Sequence, residues 1–62
     1  MNLNMDPNIL LGIVNLKLRD FFKNLDDLVY DLDISKDDLV QKLLTIGYSY
    51  DELFNQFIQK DA

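Results

Sequence analysis

Carboxylates are the main chemical resource of this chain: six of its eleven acids fall between Asp26 and Asp38. Asp31-Leu32-Asp33-Ile34-Ser35 spaces side-chain oxygens as a calcium loop would. An EF-hand loop also needs glycine at its sixth position and a bidentate glutamate at its twelfth. Counted from Asp31, those places hold Lys36 and Lys42, so the calcium reading fails. Acid–base work by paired carboxylates is equally poorly served. The chain has no histidine and no cysteine, which removes the usual base near neutral pH and the best nucleophile. Gly12 and Gly47 stand alone and build no phosphate loop. Each aspartate has a plain use as a helix cap, a dipole partner or a solvated surface group. The expectation is no enzyme, no cofactor, no metal site and no small-molecule substrate.

Nucleic-acid recognition has a better case and a specific objection. Leu25–Ile46 reads as two short helices joined by the turn Asp33-Ile34-Ser35, the layout of a helix-turn-helix. Leu28, Leu32, Ile34 and Leu39 fill the apolar places that lock such a pair. Val29 stands where a small residue usually permits close approach, and Asp33 where the turn usually has glycine. Base contacts would fall to Lys36, Asp37, Gln41, Lys42 or Thr45, on a helix that opens with Asp37 and Asp38. Lys17, Arg19 and Lys23 suggest a basic strip, but Asp20 interrupts it. DNA affinity comes largely from neutralising phosphates, and this surface offers them carboxylates. DNA is therefore an unlikely ligand on charge grounds, and an accessory DNA-binding or transcription-regulator module is the second reading.

Positioning these residues falls to one small domain spanning 1–62. A chain of this size buries only about 60% of the surface its unfolded form exposes. Yet 48% of the residues are hydrophobic, with no cysteine and no zinc ligands to add stability. A homodimer is one way to cover the surplus. The apolar run Ile9–Val14 is too short for a membrane span and is broken by Gly12, so no membrane role and a cytoplasmic location are expected. The net charge of −5 favours solubility and repels polyanions.

Residues 1–5 are expected to fray, with Leu3 and Met5 able to pack back. Asp6-Pro7 then starts a helix running to about Phe22: the aspartate caps, and proline at the first position loses no needed hydrogen bond. Leu10, Val14, Leu18, Phe21 and Phe22, with Leu11 and Ile13 at the margins, form its apolar arc; Asn8, Gly12, Asn15, Arg19 and Lys23 lie opposite, and Lys17 snorkels inside the arc. Asn24 caps a second helix, about 25–32, with Leu25, Leu28, Val29 and Leu32 as its stripe. Ser35 caps a third, about 36–46, with Asp38 three residues on and Ile34 and Leu39 as a hydrophobic staple. Leu39, Val40, Leu43, Leu44 and Ile46 face inward, and Gly47 stops the helix. The tail has two readings. Ser49-x-x-Glu52 followed by Leu53, Phe54, Phe57 and Ile58 suits a short fourth helix. Alternating Tyr48 and Tyr50, a turn over Asp51–Asn55 and a return at Gln56–Ile58 suit a wing-like hairpin. Residues 59–62 are expected to fray.

Several strings, from Asp6-Pro7-Asn8, Val14-Asn15 and Lys17-Leu18-Arg19-Asp20 through Leu25-Asp26-Asp27-Leu28 and Asp31-Leu32-Asp33-Ile34, resemble one family. Ile46-Gly47-Tyr48, Tyr50-Asp51-Glu52 and Asn55-Gln56-Phe57 complete the match, which runs from about Asp6 to Phe57. The family is a group of short bacterial proteins known as domain of unknown function 4250. The resemblance implies a C-terminal β-hairpin and carries no activity. Leu53 and Phe54 depart from it, standing where the family's closing turn is usually polar.

The fold class that follows is mainly α: a three-helix, helix-turn-helix-like domain closed by a wing-like hairpin or a fourth helix. The expected role is non-enzymatic binding of a protein partner, or self-association. The candidate contact residues are Tyr30, off the stripe of the second helix; Lys36 and Gln41, on the outer side of the third; and Tyr50 and Phe54, in the tail.

Overall fold

A computed structural model describes residues 2–60. Three helices, α1 (Pro7–Asp20), α2 (Leu25–Leu32) and α3 (Lys36–Leu44), precede two strands, β1 (Tyr48–Asp51) and β2 (Gln56–Gln59). The strands pair antiparallel, Tyr48 opposite Gln59 and Tyr50 opposite Phe57. Leu10, Val14 and Leu18 of α1, Leu25 and Leu28 of α2, Leu39 and Leu43 of α3, and Phe57 of β2 make one buried core. The molecule is thus mainly α with a C-terminal β-hairpin.

The helix starts follow the local chemistry. Asp6, Asn24 and Ser35 each accept from a backbone N–H in the first turn that follows, at 2.8, 2.8 and 3.3 Å. Between α2 and α3 the chain reverses at Asp33, whose φ of 55° is left-handed. There Asp33 N–H donates to the Tyr30 carbonyl and Ile34 N–H to the Val29 carbonyl, the paired bonds of a Schellman turn. An aspartate tolerates this conformation better than most side chains, so glycine is dispensable here.

Two helix ends fall short of the expected positions. The first helix stops at Asp20 rather than Phe22, because Phe22 N–H bonds the Lys17 carbonyl while the Leu18 carbonyl accepts from the side chain of Asn55. Phe21 consequently leaves the core and is 72% exposed, with the Lys17 ammonium 5.9 Å from its ring centre. The third helix ends at Leu44, not Ile46. Thr45, Ile46 and Gly47 continue in tighter turns that bond three residues back, and Gly47 takes φ 81° before β1 begins. Leu44, assigned to the core stripe from the sequence, is half exposed instead.

The tail is a hairpin and not a fourth helix. Ser49 sits in β1 rather than capping a helix. The Asp51 carboxylate accepts from Phe54 N–H at 3.1 Å, and Asn55 closes the loop in a left-handed conformation, φ 53°. At the N-terminal end Leu3 and Met5 pack back against the core, as the sequence allowed; at the other end, where fraying was expected, Gln59 belongs to β2 and Lys60 N–H bonds the Gly47 carbonyl. Met1, Asp61 and Ala62, which share the expectation of fraying, lie outside the described residues.

Candidate interaction surfaces

The hairpin is fixed to α1 by side-chain amides. Asn15 donates to the Phe57 carbonyl at 3.0 Å and accepts from Phe57 N–H at 2.7 Å, as a neighbouring strand would. The Asn55 amide donates to the carbonyls of Leu18 and Phe22, satisfying one orphan acceptor in the last turn of α1 and one just beyond it. Gln56 donates to the Asn15 carbonyl. The Tyr50 hydroxyl lies 2.6 Å from Asn55 Oδ1, and its ring packs 5.6 Å from that of Phe57. Asn15, placed on the solvent face by helical spacing, is therefore half-buried and structural. The expected contact residue Tyr50 is likewise engaged within the fold.

The remaining candidates separate. Tyr30 is 89% exposed on α2, and Phe54 is 66% exposed beside Leu53 at the hairpin tip. Gln41 is exposed on α3. Lys36 lies 2.8 Å from Asp26, tying the start of α3 to the first turn of α2. That hydrogen bond, reinforced by the Asp26 charge and more weakly by Glu52 and Asp37, raises the Lys36 pKa above the ordinary lysine value. Lys36 and Tyr50 do share one open cleft of about 260 Å³ with Lys23, Asn24, Leu25, Asp26 and Glu52. Its lysines are matched by carboxylates, so it presents no net charge. Among the described residues no group of three His, Cys, Asp or Glu is placed to hold a metal ion.

A surface that spacing did not single out lies on α1. Ile9 and Leu16 are 61% and 48% exposed, Ile13 is half-buried, and Gly12 sits between them. This strip follows i, i+3, i+4, i+7 on the side of α1 away from Leu10, Val14 and Leu18. The signal was present in the sequence: Ile9 and Leu16 are two turns apart, and only the polar residues around them were assigned to that side. A Cβ built on Gly12 meets nothing within 4 Å. An interior helical glycine costs about 0.5–1 kcal/mol relative to alanine, and no contact within the chain requires it.

Arg19 and Asp20 pair with each other at 2.9 Å, and the hydrogen bond from Arg19 holds the Asp20 carboxylate below its ordinary pKa. Lys17, Arg19 and Lys36 are thus each engaged locally, with Phe21, Asp20 and Asp26 respectively.

Three helices and a polar-locked hairpin define a small mainly α domain. The family model described as "Domain of unknown function (DUF4250)" matches residues 4–57, and the chain belongs to that family. No curated protein and no solved structure matches it. Among the described residues no helix is long and apolar enough to cross a membrane.

Proposed function

We propose that this domain is a non-enzymatic protein-interaction module of the cytoplasm. The observation that carries the reading is apolar surface left open, above all where exposed residues adjoin: the outward strip of α1 and the hairpin tip at Leu53 and Phe54. Leu53 and Phe54 are solvent-facing where a turn ordinarily takes polar residues, and interfaces favour such anchors. The absence of His and Cys from the sequence supports the non-enzymatic part. A photo-crosslinking residue introduced at position 16 or 54 in the living cell tests it. Discrete protein adducts are expected at one or both sites; adducts at neither overturn the reading.

The hairpin directly after α3 favours a second reading, an accessory DNA-binding module with the hairpin as its wing. Asp26, Asp27, Asp31, Asp33, Asp37 and Asp38 along α2 and α3 weigh against it. Titration with random duplex DNA at low salt decides: binding that weakens steeply as salt rises supports it, and no binding removes it.

A further inference from the structure

Building on the interaction reading above, we propose that the outward face of α1 is a homodimer interface, at which two copies cross antiparallel over Gly12. Ile9, Gly12, Ile13 and Leu16 give an uncharged strip. The open space around Gly12 means that neither packing nor a left-handed backbone accounts for a glycine there. Its remaining physical use is to let another backbone approach closely.

Charge selects the second copy as occupant. A two-fold contact sets the same patch against itself, so the patch must tolerate its own charges. In a chain of net charge −5 few surfaces do. The α2 helix carries Asp26, Asp27 and Asp31 and the start of α3 carries Asp37 and Asp38; Lys36 offsets only Asp26, which leaves four carboxylates unmatched there. Two copies meeting there would stack carboxylate on carboxylate. The α1 helix has no acid in its first turn, and its one acid, Asp20, is neutralised by Arg19. The capping Asp6 stands at one end of α1; at the other, with Arg19 matched by Asp20, Lys17 leaves the net positive charge. An antiparallel crossing brings the basic end of each copy toward the acidic end of the other and sets Ile9 of one opposite Leu16 of the other. A parallel crossing sets bases against bases. The strip is short, so the dimer belongs with the small, weak interfaces.

Sedimentation equilibrium of the full chain, up to about 1 mM, compared with Gly12→Gln, Leu16→Glu and Tyr30→Glu, tests the proposal. The wild type is expected to populate a dimer. Gly12→Gln and Leu16→Glu are each expected to weaken it at least about tenfold, and Tyr30→Glu to leave it unchanged. At dilutions where all are monomers, Gly12→Gln is expected to raise Tm by about 2–5 °C, because glutamine is the better helix former. Loss of the dimer by that variant is then not loss of the fold. A wild type monomeric throughout, or both α1 variants dimerising as the wild type does, overturns the proposal. If the wild type is monomeric while a cross-linker at position 16 or 54 still captures another protein, the homodimer fails and the interaction reading stands. If neither occurs, both fall.

Discussion

The seam between α2 and α3 and the seam between α1 and the hairpin do the same work with different chemistry. The first is mainly apolar and local: Leu28 and Leu39 share the core, the Asn24, Asp33 and Ser35 turns bond only near neighbours in sequence, and its ion pair, Lys36–Asp26, lies at the surface. The second is polar and distant. Asn15, Asn55 and Gln56 spend their amides on backbone groups that lie 33 to 42 residues away. Local capping defines where a helix begins, whereas an amide from a remote turn here decides where one ends. The contrast also separates what can be deleted cheaply from what cannot. A lost cap returns its N–H groups to water, while a lost Asn15 strands a strand edge against a helix.

The variant that breaks both seams together should have the largest effect. Phe57 is buried where the hairpin, α1 and the core meet. Phe57→Ala is expected to cost about 3–5 kcal/mol. A core in a domain this small rarely supplies more than about 3–5 kcal/mol in all. Far-UV circular dichroism at 25 °C should therefore show a largely unfolded chain, and a cooperative native melt would contradict that.

Asn15→Leu sharpens the comparison. It keeps the branched shape and heavy-atom count and removes both bonds to the Phe57 backbone, for an expected loss of about 2–3 kcal/mol. Ser35→Ala, the matching deletion in the local seam, should cost about 1 kcal/mol. Urea midpoints measure both. Equal losses would erase the distinction drawn between the seams.

What was legible in the sequence divides along the same line. The caps at Asp6, Asn24 and Ser35, the break at Asp33 and the stop at Gly47 rest on interactions within one or two turns, so spacing alone exposes them. Helical spacing put Asn15 among solvent-facing residues, because its partner lies 42 positions on, in a strand whose existence was itself open. The same distance hid the role of Asn55, and with it the true end of α1 and the exposure of Phe21. The hairpin is decided by Asp51, Asn55 and Tyr50 acting together. Local pattern at Ser49 and Glu52 favours a helix, the alternation of Tyr48 and Tyr50 allows a strand, and the family resemblance tips the reading to the hairpin. The strings that carry that resemblance include Val14-Asn15, Tyr50-Asp51-Glu52 and Asn55-Gln56-Phe57, the residues of the polar seam. In this chain Asn15, Tyr50, Asn55, Gln56 and Phe57 of those strings hold the hairpin to α1. Of the contact candidates, spacing placed Tyr30 and Gln41 outside; Phe54, whose place depended on the open reading of the tail, is exposed as well, while Tyr50 proved to be a part of the seam.

A finer cut separates the two tasks of Asn55, which holds a left-handed turn and caps α1. Asn55→Gly keeps the first and removes the second; Asn55→Ala removes both. The alanine variant should be less stable than the glycine variant by about 1 kcal/mol, the cost of a left-handed conformation for a residue with a Cβ. If the two melt together, the amide bonds to Leu18 and Phe22 carry the whole contribution.

The smallest effects should come from the charged pairs, because both lie at the surface, where ion pairs contribute little. Their signs are nonetheless fixed. Asp20 is held below its ordinary pKa by Arg19, so its contribution is complete above the unfolded carboxylate value of about 3.9 and fades as pH falls through the folded one. Lys36 is held above its ordinary value by Asp26, so its contribution is complete below the unfolded lysine value of about 10.4 and fades as pH rises through the folded one. The amides of the α1–hairpin seam do not titrate, and the chain has no histidine. Tm should therefore be nearly flat between about pH 5 and 9 and fall on both sides, with the shallow alkaline decline reduced in Asp26→Asn. A step in Tm between about pH 6 and 8 would mean that stability rests on a charge network neither seam contains, and the division into a local apolar seam and a distant amide seam would be wrong.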